Sequence, residues 1–175
     1  MTMSPALRKC ALAAHLTLSV GWIGAVVAYT ALDISTATSR DAQVLRAAYL
    51  GMESIVRTVI VPFALASLVT GVVMSLGTGW GLFRHYWVSI SFVLTATATV
   101  ILLVETQVIG SLAATASDPT TSAEDLRALP STLVHSIGGI VTLLVILVLN
   151  VVKPRGMTRY GWRKQMDRRG LERPA

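Results

Sequence analysis

Three histidines are the side chains of this sequence best suited to chemistry inside a membrane. His15 and His135 lie within long apolar runs, and His85 stands directly before another such run. An ionisable group in the hydrocarbon region is costly unless it is paired, so such residues commonly mark functional sites. An imidazole can bind a metal, carry a proton or ligate a haem iron. Each histidine is therefore a candidate site.

The first candidate is a two-histidine haem site near one membrane face. His15 lies six residues past Lys9, about 9 Å along a helix. If the third apolar helix begins near Leu82 and tilts, His85 reaches the same plane, and Arg84 could bind a propionate of a b-type haem. The alternative is structural: His85 belongs to an interfacial belt of aromatic and basic residues, and His15 hydrogen-bonds within the bundle. Both interpretations remain open at this point.

The second candidate site combines Glu105 and His135 near the opposite face. His135 lies eighteen residues before Lys153, about 27 Å along a helix, so it cannot share a metal ion with His15. Glu105 ends the third apolar run and could orient the imidazole of His135 in a metal site or a proton relay. The sequence thus allows a proton or divalent-metal site here. The other interpretation is an ion pair between Arg57 and Glu105 that fixes helix packing.

The sequence contains no complete catalytic signature. It has no phosphate-binding loop, no Cys-x-x-Cys, no His-Glu-x-x-His and no serine nucleophile elbow. Its single cysteine, Cys10, cannot form an internal disulfide. We predict no catalytic residue, and the enzyme class that the histidines would allow is a membrane haem oxidoreductase.

Four apolar segments must position these residues. The 175 residues are 53% hydrophobic, and the mean hydropathy is +0.64, which is too apolar for an ordinary soluble domain. In lipid such segments form their backbone hydrogen bonds as helices, and each segment is long enough to cross a hydrocarbon core about 30 Å thick. We predict an all-α membrane-embedded four-helix bundle, domain 1–152, with spans at about 10–32, 58–76, 87–104 and 133–152.

The distribution of charge predicts the orientation. Of the fifteen lysines and arginines, eleven fall on the side that holds both termini. By the positive-inside rule both termini are cytoplasmic and the membrane is the bacterial inner membrane. The net charge of +6 resides mainly in residues 153–175. We predict that this basic cytoplasmic tail binds anionic lipid headgroups and that the charge does not indicate nucleic-acid binding.

Helix-capping residues and a proline predict the structure of the connections between the spans. Ser39-Arg40-Asp41 offers a cap for an amphipathic helix that leads into the second span. Pro62 predicts a kink within that span. Ser122, with Asp125 three residues later, predicts one more short helix before the fourth span.

Small residues recur at four-residue spacing in several spans. Examples are Gly21 and Ala25 in the first span and Ser67, Gly71 and Ser75 in the second. Such faces let helix backbones approach closely. They predict tight packing within the bundle or between two copies of the chain, and the alternative is a path for a polar solute.

The segment between the second and third spans carries a family resemblance. The run Thr70–Trp87, with its Gly-Trp-Gly-Leu-Phe-Arg-His-Tyr-Trp turn, together with His15 and Gly21-Trp22-Ile23-Gly24, resembles a family of small four-helix membrane proteins of actinobacterial type whose function is unknown. The resemblance spans roughly residues 10–150 and implies the same topology without an activity. His15 and the Gly-Trp-x-Gly motif are also similar to the membrane domain of copper-resistance proteins, although the methionine and histidine clusters suited to copper are lacking.

These observations predict a non-enzymatic, multi-pass inner-membrane protein that is a structural or accessory subunit. Two other functions remain open. One is a b-type haem redox protein that uses His15 and His85, and the other is a proton or metal-ion carrier that uses Glu105 and His135.

Overall fold

The computed structural model describes residues 3–171, with side chains to Met166. Helices make up 83% of the structure. The residues at each end of the chain, 1–2 and 172–175, lie outside the described range, and with them the end of the predicted tail. The helices are α1 (Pro5–Thr38), α2 (Ala42–Ile55), α3 (Val61–Gly77), α4 (Tyr86–Ser117), α5 (Ala123–Ala128), α6 (Leu133–Val152) and α7 (Arg159–Leu171), and a π-helical turn at Val56–Ile60 joins α2 to α3.

Four of these helical segments are long and apolar enough to cross a membrane. Within the described range they are α1, the continuous segment Ala42–Gly77, α4 and α6. The all-α class and the number of long apolar helices agree with the prediction, and the structure points to a membrane-spanning protein. With 34 residues in α1 and 32 in α4, these helices are about 50 Å long and exceed a hydrocarbon core of about 30 Å.

The disturbance expected at Pro62 takes the form of a π turn. Proline lacks an N–H and its ring collides with the carbonyl four residues earlier. In the structure, the N–H of Val61 donates to the carbonyl of Val56, five residues back. The wider turn accommodates one additional residue before the helix resumes its ordinary pitch in α3.

The two short helices predicted from capping signals are present. α2 begins after Asp41, whose carboxylate accepts a 2.8 Å hydrogen bond from the N–H of Gln43. α5 begins with a capping box, in which Ser122 and Asp125 satisfy each other's backbone N–H groups. We call the end of the bundle that holds the start of α2 and all of α5 the cap end.

Both described ends of the chain lie at the opposite end of the bundle, which we call the termini end. The N–H of Met3 donates to the carbonyl of Gly77 at 3.1 Å. The N–H of Tyr86 donates to the carbonyl of Gly156 at 3.4 Å. The start of the chain, the α3–α4 connection and the segment after α6 are therefore neighbours, as an even number of crossings requires.

Burial is concentrated at the cap end. The largest side chains with less than 2% exposure are Leu45, Met52, Val56, Leu126 and Asp33, and all come from that end. By contrast, many apolar side chains along the spans are exposed, in agreement with lipid as their solvent. The cap end thus has a closed core that holds the outer parts of α1 and α4 against α2 and α5.

Candidate functional site

His15 packs against the small-residue face of α3. Its Nδ1 lies 2.9 Å from the hydroxyl of Thr70, and its ring lies over Gly71, where an added Cβ would meet Cε1 at 3.2 Å. One turn further along α1, the hydroxyls of Ser19 and Ser67 are 2.8 Å apart. The close approach predicted from the small residues of α3 is therefore found between α1 and α3.

His85 lies in the α3–α4 connection and contacts the aromatic residues of that turn. Its Nδ1 is 2.9 Å from the carbonyl oxygen of Trp80, and the two rings meet edge to face at 5.2 Å. It also forms an isolated antiparallel bridge with Met157 from the C-terminal segment. Neighbouring Arg84 donates through Nη1 to the carbonyl of Gly79 at 3.1 Å, and its buried Nε has no hydrogen-bond partner among the described residues.

The predicted haem ligands thus have separate environments. His15 contacts α3 within the bundle, whereas His85 contacts the connection that follows α3 and the segment after α6. In both rings the bonded nitrogen is Nδ1, which leaves Nε2 as the atom that could bind iron. The two-histidine haem site and its Arg84–propionate contact remain predictions.

Glu105 and His135 are brought together at the cap end. Nε2 of His135 lies 3.5 Å from Oε1 of Glu105, across the gap between α4 and α6. The His135 side chain is 55% exposed and that of Glu105 is 18% exposed. The pair therefore joins an accessible imidazole to a largely enclosed carboxylate, an arrangement suited to passing a proton inward.

Arg57 pairs with Glu53 in place of the expected pair with Glu105. Its Nε donates to Oε1 of Glu53 at 2.8 Å. The two residues are four apart on one continuous helix, so their side chains lie on the same face. They lie beside Gly110 of α4, where an added Cβ would meet the Arg57 guanidinium at 3.0 Å.

The deepest polar group at the cap end is Asp33, which the sequence places only at the edge of its span. Asp33 is 1% exposed, and its Oδ2 accepts a 2.8 Å hydrogen bond from the hydroxyl of Ser136 on α6. Its Oδ1 is buried without a hydrogen-bond partner among the described residues. Leaving a buried carboxylate oxygen without a donor is energetically costly.

Two buried tyrosines lie at the same end of the bundle. The hydroxyl of Tyr29 lies 2.9 Å from that of Thr132, and the hydroxyl of Tyr49 donates to the carbonyl oxygen of Leu126 at 3.4 Å. Tyr29 and Glu105 line one cavity, and Ser136, which donates to Asp33, also lines it. The two carboxyl groups therefore belong to one polar cluster.

A cavity of about 350 Å³ extends from this cluster between α1, α4 and α6. Its walls are mainly apolar, with Trp22 and Tyr29 on the α1 side, and Glu105 and His135 line its polar part. On α6 it is bordered by Gly138, where an added Cβ would meet nothing within 4 Å. The volume is typical of small-molecule sites, which are about 300–1,000 Å³.

Arg46 secures the cap end, and the sequence analysis did not identify it. Its guanidinium donates to the carbonyl oxygens of Ala116, at 2.7 Å, and of Asp118 and Thr121. Ala116 lies in the last turn of α4, where helix carbonyls lack intrahelical partners and a cation is favoured, and Asp118 and Thr121 belong to the connection that follows. The sequence does not indicate that Arg46 binds these carbonyls, because they lie 70 or more positions away along the chain.

The connection that Arg46 binds also holds a carboxylate in its charged form. The hydroxyl and the backbone N–H of Thr120 donate to Asp118 at 2.7 and 2.8 Å, and they hold the pKa of Asp118 below its ordinary value of 3.8. The nearby charge of Arg46 acts in the same direction.

The described residues contain no group of three or more histidine, cysteine, aspartate or glutamate side chains that could hold a metal ion. Glu105 and His135 supply two ligands, whereas a zinc site uses three or four. The metal-ion and the proton interpretations of this pair both stay predictions.

Compared with known proteins, the chain matches no family model, no curated protein and no solved structure. The family resemblances inferred from the sequence stay predictions, and a proposed function rests on the geometry of the site.

Proposed function

We propose that this protein is a proton carrier of the bacterial cytoplasmic membrane, with Glu105 and His135 as its proton-exchanging pair. The observation that carries the proposal is the 3.5 Å contact between the exposed imidazole of His135 and the enclosed carboxylate of Glu105. An imidazole can accept and release a proton, which suits it to a proton shuttle. Tyr29 lines the same cavity as this pair, and Asp33 accepts a hydrogen bond from Ser136, which also lines it.

Proton flux into proteoliposomes tests the carrier function. The purified protein is reconstituted with a pH-sensitive dye inside the vesicles, and a pH step is applied. We expect flux above that of protein-free vesicles, a loss of at least tenfold in Glu105→Gln, and no loss in Glu124→Gln. Glu124→Gln is the matched control, because it makes the same change of charge at an exposed carboxylate of the cap end. Flux that Glu105→Gln leaves unchanged contradicts the proposal, and absence of flux leaves the structural or accessory role predicted from the sequence.

We propose further that the termini end is cytoplasmic and that the cap end faces outward. This orientation is supported by the positive-inside rule, since eleven of fifteen lysines and arginines belong to segments at the termini end. A reporter that is active only in the cytoplasm should work when fused after Ala175 and fail when inserted after Thr121. The reverse pattern would overturn this orientation.

The basic segment after α6 supports binding to anionic headgroups. Arg155, Arg159, Arg163 and Lys164 are exposed, and Lys153 lies over the ring of Trp80 at 5.7 Å. Exposed lysines and arginines beside a span are attracted to anionic lipid by about 1 kcal/mol each. Thermal stability should therefore rise when phosphatidylglycerol replaces phosphatidylcholine in nanodiscs, and the gain should shrink when Arg159, Arg163 and Lys164 become alanine.

Haem binding by His15 and His85 is a separate prediction with its own test. A visible spectrum of protein produced with ample haem supply should show a reduced-minus-oxidised band that is lost in His15→Ala and in His85→Ala. A colourless preparation would remove this alternative and leave the proton-carrier proposal unaffected.

A further inference from the structure

The cavity beside Glu105 opens sideways between α4 and α6. Leu94 and Ile109, both on its α4 wall, are fifteen residues apart, so this wall is about 22 Å long. Side chains at its margin are exposed: Val134 is 81% and Ile101 is 49% exposed. Because these residues belong to apolar spans, the opening faces lipid. A ligand that partitions into the bilayer could enter without crossing water.

Adjacent glycines on α6 keep this space open. An added Cβ at Gly138 would meet nothing within 4 Å, and one at Gly139 would approach only Val26, at 3.8 Å. A larger side chain at Gly138 would therefore occupy the space without a clash at its Cβ.

Carboxyl groups lie at the polar part of the cavity. Glu105 lines it directly, and Asp33 accepts a hydrogen bond from Ser136, which also lines it. His135 is the basic side chain in contact with Glu105. Two arginines of the cap end are engaged elsewhere: Arg57 with Glu53, and Arg46 with backbone carbonyls.

Aromatic residues complete the lining. Trp22 and Tyr29 are 4% and 5% exposed and lie on the α1 wall. Aromatic faces attract organic cations, most strongly when water is excluded. An anionic amphiphile would be repelled by the two carboxyl groups, and a neutral one would gain nothing from their charge.

We propose that this cavity binds a lipophilic organic cation that enters from the bilayer, with Glu105 as its counter-charge. The inference rests on the site of the proposed proton carrier and names the substrate class of that site. A cation and a proton would then bind to the same carboxylate, so each would displace the other.

The test is equilibrium dialysis of the purified full-length protein against tetraphenylphosphonium, with its near-isosteric anion tetraphenylborate as the comparison. We expect saturable binding of the phosphonium and at least tenfold weaker binding of the borate. Glu105→Gln and Gly138→Leu should each weaken phosphonium binding at least tenfold.

Two matched variants control for charge and for bulk. Glu124→Gln removes an exposed cap-end carboxylate, and Gly24→Leu adds the same side chain at an exposed α1 position with no neighbour within 4 Å. Both should bind phosphonium within about twofold of the unmodified protein. Circular dichroism melting of every variant establishes that it is folded before binding is compared.

The outcomes separate this inference from the proton-carrier proposal. Equal binding of phosphonium and borate, or binding that Glu105→Gln leaves intact in a folded protein, overturns the inference even if proton flux is measured. Phosphonium binding that requires Glu105, in vesicles without proton flux, supports the inference and contradicts the carrier function.

Discussion

Ser136 on α6 donates a 2.8 Å hydrogen bond to Asp33 on α1, although the two residues are 103 positions apart. The bond ties the first and last spans together at the cap end, where Asp33 is almost completely buried. It also satisfies one carboxylate oxygen, whereas the other has no hydrogen-bond partner among the described residues. Ser136 lines the cavity of the candidate site as well, so this contact between the two helices adjoins that cavity.

Replacing Ser136 with alanine should destabilise the protein by about 1–3 kcal/mol, because it leaves a second buried oxygen of Asp33 without a donor. Chemical unfolding in detergent micelles, followed by circular dichroism, measures the change. Ser111→Ala is the control, since Ser111 is exposed and bonds within its own helix. If Ser136→Ala and Ser111→Ala lower the free energy of unfolding equally, the hydrogen bond to Asp33 makes no specific contribution to stability.

Replacing Arg46 with alanine should loosen the connection after α4. Hydrogen bonds that involve a charged group each contribute about 1.5–3 kcal/mol, and Arg46 is shared among several carbonyls. We expect faster hydrogen exchange at the amides of Asp118, Thr120 and Thr121, and only partial recovery in Arg46→Lys, since an ammonium lacks the planar fork of a guanidinium. Arg40→Ala, at an exposed position nearby, should leave these amides unchanged.

Two glycines of α1 should respond oppositely to alanine. At Gly21 the new Cβ would come within 2.5 Å of the Phe63 ring, whereas at Gly24 it would meet nothing within 4 Å. Gly21→Ala should therefore cost about 1–3 kcal/mol through overpacking. Gly24→Ala should be neutral or stabilising by up to about 1 kcal/mol, because alanine is the better helix former. Thermal melts in one detergent compare the pair, and a more stable Gly21→Ala would contradict the α1–α3 packing.

The hydrogen bonds to Asp118 predict a pH dependence of the cap-end connection. Its pKa is lower in the folded protein than its ordinary value of 3.8, so its contribution to stability is present above that value and is lost as the pH falls through the folded pKa. Thr120→Val removes the hydroxyl donor and should raise the pKa of Asp118. Carbon-13 NMR titration of the carboxyl group measures the shift. Thr38→Val, at another exposed position, should not change it.

Hydropathy and capping signals were sufficient to predict most of the fold. The fourth span agrees with α6 at both ends, and the two short helices begin at the predicted caps. The helices α1 and α4 continue past the ends of the first and third predicted spans, at Leu32 and Val104. Hydropathy does not indicate these extensions, because they are stabilised by packing against α2.

The candidate sites were predictable only in part, because a sequence reveals depth along a helix more readily than direction around it. Depth was enough to place Glu105 near His135. The side of the helix on which Arg57 lies determines that it pairs with Glu53 of the same helix, and the sequence did not indicate that side. In the same way, the position of Asp33 at the end of an apolar run does not indicate that its side chain is buried in the core.

The π turn at Val56–Ile60 also constrains the length of the chain. Deleting one residue there would remove the extra residue of the wider turn and rotate α3 by about 100° relative to α2. Ser67 and Gly71 would then turn away from Ser19 and His15. The number of residues between α2 and α3 should therefore tolerate no change, and a one-residue deletion should abolish the contacts between α1 and α3.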